Sequence, residues 1–292
     1  AWVYGLDGEL KAARQMPDDF DPGEYGLYTC HVGVTEGLIF LNLDEKPSPG
    51  FAAIDAEIAA VVGPHQLESA KIAVRRDYPV AADWKLVIEN FNECYHCPAA
   101  HPEYRQVNAY VRAVGDGRPR EVRLFEEMDA DWRKRAAAMG HRVDCAAMPS
   151  ELPDQFQLAY RQGIQPGFDS LTEDGRPAAP LMGELSAFDG GETVAHVGPF
   201  FSLSAANDYA CLLSFEPLGV STTNMTLIWL VDRDAREGED LDLERLCWMW
   251  DVTTRQDQVL IENNQRGMAS MRYAPGPYSL LEGFTRQFVD WY

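Results

Sequence analysis

The stretch that decides the fold is Asp83–Tyr104, which reads DWKLVIENFNECYHCPAAHPEY. Apolar residues recur in its first half with helical spacing, which predicts a helix from Ala82 to Cys97. The apolar face of this helix comprises Trp84, Leu86, Val87, Ile88 and Phe91. Pro98 has no N–H to donate and biases the residue before it away from helical geometry. The helix is therefore predicted to break between His96 and His101.

This break bears on metal binding by the two histidines. On a continuous helix, side chains five positions apart diverge by about 140°, so His96 and His101 could not share an ion. With the break, the second imidazole can turn back toward the first. Two imidazoles and one carboxylate leave open positions on an octahedral metal, as in non-haem iron(II) oxygenases. The alternative is that both histidines pack within the protein and bind no metal.

The same stretch resembles the iron-binding segment of Rieske non-haem iron oxygenases, the ring-hydroxylating oxygenase alpha subunit family. Glu-Asn, an acidic residue, Tyr-His and a second His-Pro recur there in this order, which implies that His96 and His101 bind mononuclear iron(II). The C-terminal stretch that begins DQVLIENNQRG at Asp257 resembles the family's closing region. In the family, an Asp in that region supplies the third iron ligand. The matching residue in this sequence is Asp257, and Asp251 and Glu262 on the same predicted helix are the alternatives.

The beginning of the chain also resembles this family. AWVYGLDG resembles the residues after the second cluster-binding pair of a Rieske domain, and GLIFLNL at 37–43 resembles the end of that domain. We therefore expect residues 1–48 to be the tail of a Rieske domain and residues 49–292 to be the iron-binding catalytic domain. The family's 2Fe-2S cluster is held by Cys-x-His and Cys-x-x-His. The two pairs do not occur together in this sequence, so we expect the cluster in a preceding part of a longer protein.

An acidic residue lies three positions before the first histidine. Glu93 matches the family's acidic bridge, which links the iron-ligand histidine to a cluster-ligand histidine of the neighbouring subunit in a trimer. A carboxylate that accepts from a ligand imidazole also fixes its orientation; a solvated helix glutamate is the alternative. Asn90, Asn92 and Tyr95 are candidate supporting residues, for which capping or packing is an equal explanation. With Glu rather than Asp at position 93, the sequence resembles the branch of the family that acts on choline, carnitine and glycine betaine.

That branch implies a quaternary ammonium substrate, which aromatic faces and carboxylates bind. The candidate substrate-binding aromatics are Phe200, Phe201, Tyr209 and Trp229, followed by Phe215, Trp248 and Trp250. Core packing is the alternative for each of them. The resemblance implies O2-dependent hydroxylation and N-demethylation of a methylated amine, with electrons from NADH or NADPH through a separate reductase or ferredoxin. An aromatic-ring hydroxylating dioxygenase, a non-catalytic helix-grip ligand-binding protein and a zinc hydrolase are the alternatives.

Composition narrows the possible partners and compartment. With 46 acidic and 25 basic residues, the formal charge is -21, which repels phosphate backbones and argues against nucleic acid. The sequence contains no run of 18 to 20 apolar residues, so it predicts no membrane-spanning helix. The six cysteines are scattered as in cytoplasmic proteins, and the close pair, Cys94 and Cys97, has no second pair with which to complete a zinc site.

The remaining patterns predict an α+β fold with an antiparallel sheet, and the resemblance implies that this sheet wraps around helices in a helix-grip arrangement. Hairpins are predicted around the Asp7-Gly8 turn and within Val32–Leu43, and an irregular segment over Ala138–Gly191. Further strands are predicted at Lys71–Pro79, His196–Leu203, Tyr209–Pro217 and Met225–Val231, and further helices at Phe51–Val62, Leu241–Arg266 and Gly283–Tyr292.

Overall fold

The computed structural model describes residues 2–44, 51–115, 118–143 and 156–292. Its N-terminal part holds two antiparallel strand pairs: β1 (Val3–Tyr4) with β2 (Leu10–Ala12), and β3 (His31–Thr35) with β4 (Leu38–Asn42). Both hairpins were predicted. In the second turn, Glu36 and Gly37 have φ angles of 48° and 77°, the left-handed region that tight hairpin turns require. The predicted domain boundary near residue 48 lies outside the described residues.

A six-stranded antiparallel sheet forms the centre of the rest of the chain. Its strands are β5 (Lys71–Val80), β6 (Gln157–Gly163), β7 (Gly191–Val197), β8 (Phe201–Ala205), β9 (Tyr209–Gly219) and β10 (Thr222–Val231). They are ordered β5-β10-β9-β8-β7-β6 across the sheet. Strands β6 to β10 thus pair with their neighbours in sequence, while β5 returns to pair with β10.

Eight α-helices lie within the described residues. They are α1 (Phe51–Val62), α2 (Trp84–Phe91), α3 (Cys97–Ala100), α4 (Pro102–Val107), α5 (Ala109–Gly115), α6 (Pro119–Ala138), α7 (Leu243–Met268) and α8 (Gly283–Trp291). Short 3-10 helices span Pro22–Tyr25, Gly63–His65 and Leu67–Ser69. In the part of the chain described, no helix is both long and apolar enough to cross a membrane.

Apolar residues cover both faces of the sheet, because successive side chains of a strand point to opposite sides. On one face, Leu213 of β9 and Leu227 of β10 pack into the core shared with α2 and α7. On the other face, Leu212 and Ile228 pack with α1. An antiparallel sheet packed against the long helix α7 is the helix-grip arrangement of an α+β protein, so the predicted fold class is confirmed.

The predicted helix over Ala82–Cys97 is too long, because α2 ends at Phe91. The carboxylate of Glu93 accepts hydrogen bonds from the backbone N–H groups of Tyr95 and His96. These side-chain bonds compete with the helical backbone bonds and favour a turn. The chain therefore leaves the helix before His96, rather than between the two histidines as predicted.

The sheet differs from the prediction at two further places. Gln157–Gly163 was assigned to an irregular segment but forms the edge strand β6, paired with β7. Its sequence lacks the β-branched residues that mark strands, and its conformation depends on pairing with a distant segment. The single strand predicted over His196–Leu203 is wrong, because Gly198, with a φ of 56°, forms a turn between β7 and β8. Residues 144–155 of the predicted irregular segment lie outside the described residues.

Candidate metal centre

Three side chains from different parts of the chain converge beside α7. His96 comes from the turn before α3, His101 lies between α3 and α4, and Asp257 lies in the middle of α7. The Nε2 atoms of the histidines are 3.0 Å apart. Oδ1 of Asp257 is 3.2 Å from Nε2 of His96 and 3.0 Å from Nε2 of His101. The structure thus brings together the three side chains for which the sequence predicted iron binding.

These distances fit a metal ion bound on one side by three ligand atoms. Ligands about 2.1 Å from an ion and at right angles to each other are about 3.0 Å apart. His101 is 1% exposed, and the side chains of Asp257 and His96 are 4% and 19% exposed. A cation between the three atoms would satisfy two imidazole lone pairs and a buried carboxylate together. The donor set of two histidines and one carboxylate suits iron(II) and leaves octahedral positions open.

Hydrogen bonds to the outer ring nitrogens orient both histidines. Nδ1 of His96 pairs with the carboxylate of Glu93. Nδ1 of His101 lies 2.8 Å from Oε1 of Gln256, whose amide nitrogen donates to Glu103 at 2.8 Å. With a proton on Nδ1, each imidazole directs its Nε2 lone pair toward the shared point, as metal-binding histidines do.

The carboxylate of Asp257 is also held in place, and its two competitors are engaged elsewhere. Asn90 donates its side-chain amide to Oδ1 of Asp257 at 2.8 Å. Asp251 instead accepts from Arg76 at 2.7 Å, and Glu262 accepts from the backbone N–H of Ala81 at 3.1 Å. Of the three candidate carboxylates on this helix, Asp257 alone meets both histidines.

The electrostatics of the cluster favour positive charge. Burial opposes a charged imidazole, but hydrogen bonds to Asp257 and Glu93 outweigh it and raise the pKa of His96 to about 10. Burial likewise raises the pKa of Asp257, but hydrogen bonds from His101 and His96 outweigh that effect, and the net shift is downward. Two carboxylates around the imidazoles therefore create a negative potential that a bound cation would match.

Cys97 is a further candidate ligand by proximity. Ligand atoms of His96, Cys97 and His101 lie within 4.8 Å of one another. The Cys97 thiol, however, contacts the carbonyl oxygen of Glu93 at 3.7 Å, and hydrogen bonding with Cys94 together with burial raises its pKa. Because the thiolate is the form that binds metals, the closer carboxylate of Asp257 suits the third position better.

A cavity of about 110 Å³ adjoins the three side chains. Of the residues predicted for the site, Asn90, Glu93 and Trp250 line it together with the histidines and Asp257. Other lining residues were not predicted from the sequence, among them Tyr104, Tyr160, Glu192, His196 and Ser202. The alternation in GETVAHV was an available signal, since it places Glu192 and His196 on the same face of β7.

Two of the predicted substrate-binding aromatics lie at a different cavity. Phe200 and Phe201 line a space of about 600 Å³ between the β3–β4 hairpin and the sheet, which holds none of the three convergent side chains. The ring of Phe200 is 5.1 Å from that of Trp84, and the ring of Phe201 is 5.5 Å from that of Phe40, measured between centroids. Both rings pack against other aromatic rings, and neither lines the cavity beside the three convergent side chains.

The other predicted aromatics are mostly core residues. Tyr209 and Trp229 are fully buried away from the 110 Å³ cavity, and the Tyr209 hydroxyl donates to the carbonyl of Leu171 at 2.8 Å. Phe215 packs against Phe91. The structure also leaves Tyr95 62% exposed, so it contributes its backbone N–H, not its ring, to the surroundings of Glu93.

Comparison with known proteins shows the family of the chain. Residues 67–292 match the family described as ring hydroxylating alpha subunit (catalytic domain). The chain is 37% identical to the glycine betaine monooxygenase oxygenase subunit of Chromohalobacter salexigens, over 100% of this chain and 64% of the relative. It is also 37% identical to the protein of that name from Pseudomonas aeruginosa, over 100% of this chain and 67% of the relative.

A solved structure shares the fold at low sequence identity. It is the quaternary ammonium Rieske monooxygenase CntA in complex with L-carnitine, with a TM-score of 0.52 and 19% identity over 99% of this chain and 68% of that chain. The chain thus spans about two thirds of the length of the relatives it matches. With its matched catalytic domain, this chain belongs to the ring hydroxylating alpha subunit family.

Proposed function

We propose that this chain is the iron-binding catalytic part of an oxygenase subunit that removes a methyl group from a small quaternary amine of the glycine betaine, choline or carnitine type. The observation that carries the proposal is the convergence of His96, His101 and Asp257 at separations of 3.0 to 3.2 Å. The names of the two relatives compared above support the amine as the substrate class.

Iron(II) bound by these side chains would activate dioxygen for hydroxylation of a substrate C–H bond. One oxygen atom enters the N-methyl group, and the other leaves as water after two electrons and two protons are supplied. The hydroxymethyl ammonium product then loses its hydroxyl proton as the C–N bond breaks. The bonding electrons stay on nitrogen, which gives formaldehyde and the tertiary amine.

The lining of the cavity of about 110 Å³ beside Asp257 suits a quaternary ammonium substrate. Phe91, Tyr104, Tyr160 and Trp250 line it and offer ring faces of the kind that bind quaternary ammonium groups. The names of the relatives favour a methylated amine over an aromatic ring as the substrate, and the three convergent metal-binding side chains favour catalysis over binding alone.

Electron delivery is the proposed role of Glu93. Its side chain is 12% exposed and pairs with Nδ1 of His96, so it joins the iron ligand to the protein surface. In a homotrimer of the full-length protein, Glu93 would contact a cluster-binding histidine of the neighbouring subunit. A separate reductase or ferredoxin would bring electrons from NADH or NADPH to that 2Fe-2S cluster. Residues 1–48 would be the end of the cluster domain.

The compartment proposed for this chemistry is the cytoplasm. Cys30, Cys94, Cys97, Cys211 and Cys247 are free thiols in the described residues, and free thiols persist in a reducing compartment.

The proposal is tested without the electron-transfer partners. Hydrogen peroxide supplies oxygen already reduced by two electrons, so it can replace dioxygen and the reductase in a single turnover. The iron-loaded chain should convert glycine betaine and peroxide to formaldehyde and dimethylglycine in equal amounts, and the His96→Ala variant should not. Amine consumption without formaldehyde, or equal product from His96→Ala, would contradict the proposal.

A further inference from the structure

Glu192 is a buried carboxylate in the wall of the cavity beside the metal centre. It lies on β7 and is 0% exposed. Its Oε1 accepts from the hydroxyl of Ser204 at 2.8 Å. Its Oε2 accepts from the side-chain amides of Asn108 at 2.9 Å and Gln162 at 3.2 Å. All three partners are neutral, so hydrogen bonds solvate the carboxylate but do not neutralise it.

No lysine or arginine side chain of the described residues compensates this charge inside the cavity. No lysine or arginine is among the described residues that line it. Arg161 of the neighbouring strand β6 contacts Asp189 at 2.9 Å instead. Burial raises the pKa of Glu192, although its three donors lower it. A buried, unpaired carboxylate is costly, and a cation entering the cavity would offset that cost.

Aromatic rings stand next to this carboxylate. Tyr104 and Tyr160 line the same cavity, and the Tyr104 hydroxyl accepts from the Asn108 amide at 3.2 Å. That amide is one of the donors to Glu192, so ring and carboxylate belong to one hydrogen-bonded group. The ring of Trp250 lies 5.8 Å from that of Tyr104. Rings beside a carboxylate are a suitable environment for a quaternary ammonium, which has no N–H to donate.

Two donors in the cavity have no hydrogen-bond partner within the described part of the chain. Trp250 Nε1 and Thr253 Oγ1 are buried without a hydrogen bond among the described residues, and both residues line the cavity. Because buried polar groups normally find a partner, these donors suit an acceptor on the ligand, such as a carboxylate oxygen.

We propose that Glu192 is the anionic group that recognises the quaternary ammonium of the substrate and makes the cavity specific for a positively charged nitrogen. This inference rests on the proposed function and assigns a specificity residue to it. The metal ligands come from α7 and the α2–α4 connection, whereas Glu192 comes from the sheet. The substrate would lie between them, with its charge near the sheet and a methyl group toward the metal centre.

The test compares two ligands that differ only in charge at one atom. Glycine betaine carries a trimethylammonium group, and tert-butylacetate has the same shape and carboxylate with carbon in place of nitrogen. Binding of each is measured by calorimetry to the parent chain, Glu192→Gln and Ser204→Ala. The first variant removes the charge and can keep the hydrogen bonds, because the new amide nitrogen can donate to the Ser204 hydroxyl while its oxygen still accepts from Asn108 and Gln162. The second removes one hydrogen bond and keeps the charge.

The parent should bind glycine betaine more tightly than tert-butylacetate. Glu192→Gln should weaken glycine betaine binding by about 10- to 100-fold and leave tert-butylacetate within about threefold. Ser204→Ala should keep the preference for the charged ligand. Unchanged discrimination in Glu192→Gln, or an equal loss for both ligands, would overturn the role of Glu192 and leave the proposed function intact. A parent chain that binds neither glycine betaine, choline nor carnitine would refute both.

Discussion

Nδ1 of His101 lies 2.8 Å from Oε1 of Gln256, the residue directly before Asp257 on α7. Two consecutive residues of one helix therefore hold this histidine: Gln256 fixes the ring from outside, and Asp257 meets its inner nitrogen at 3.0 Å. The arrangement couples the orientation of a candidate ligand to the rotation of α7. Metal affinity should consequently depend on a residue that does not touch the ion.

We expect Gln256→Ala to weaken metal binding. Loss of the partner at Nδ1 frees the His101 ring to rotate, and removal of such partners costs about 10- to 100-fold in metal affinity. Competition with a calibrated chelator under anaerobic conditions measures the iron(II) affinity. Gln258→Ala is the matched control, since that side chain donates to the carbonyl of Pro79 and should leave affinity unchanged. Equal affinities for the parent and Gln256→Ala would rule out this orienting role.

Packing of α6 on the sheet leads to a stability prediction. A Cβ atom at Gly191 would lie 2.3 Å from the Trp132 ring, whereas one at Gly219 would meet nothing within 4 Å. Trp132 is fully buried and has no room to move. Gly191→Ala should therefore lower the free energy of unfolding by about 1 to 3 kcal/mol, and Gly219→Ala should change it by less than about 0.5 kcal/mol. Urea unfolding of both variants checks this difference.

His65 should make the fold sensitive to acid. Burial, with the nearby Arg161 guanidinium, lowers its pKa from 6.5 to about 4, while the Ala206 carbonyl and Asp189 act in the opposite direction. Between these values the unfolded state binds more protons than the folded state. The contribution of a neutral His65 to stability is thus fully present above about pH 6.5 and is lost as the pH falls toward 4. The resulting decrease in the free energy of unfolding is about 3 kcal/mol.

The pH dependence of unfolding tests this prediction. His65→Gln cannot gain a proton, so its free energy of unfolding should fall less steeply between pH 6.5 and 4 than that of the parent. Parallel pH profiles would show that His65 does not titrate differently in the folded and unfolded states.

The sequence could predict the metal-binding residues better than the cavity around them. His96 and His101 are close in the chain, and their segment and that of Asp257 carry family motifs. The end of α2, by contrast, depends on hydrogen bonds that backbone N–H groups donate to the Glu93 carboxylate, which periodicity does not reveal. Tyr160 and Glu192 reach the cavity only because β6 and β7 pair in a particular register. Register also decides which aromatic residues face the cavity, and the composition of a strand does not specify it.

The central claim is that His96, His101 and Asp257 hold one metal ion, and iron counting tests it most directly. The chain is loaded with iron(II) without oxygen, freed of excess metal and measured by elemental analysis beside Asp257→Ala. Glu262→Ala, which removes one of the two alternative carboxylates on α7, is the matched control. We expect about one iron per chain for the parent and Glu262→Ala, and close to none for Asp257→Ala. Full iron content in Asp257→Ala, or none in the parent, would contradict the account.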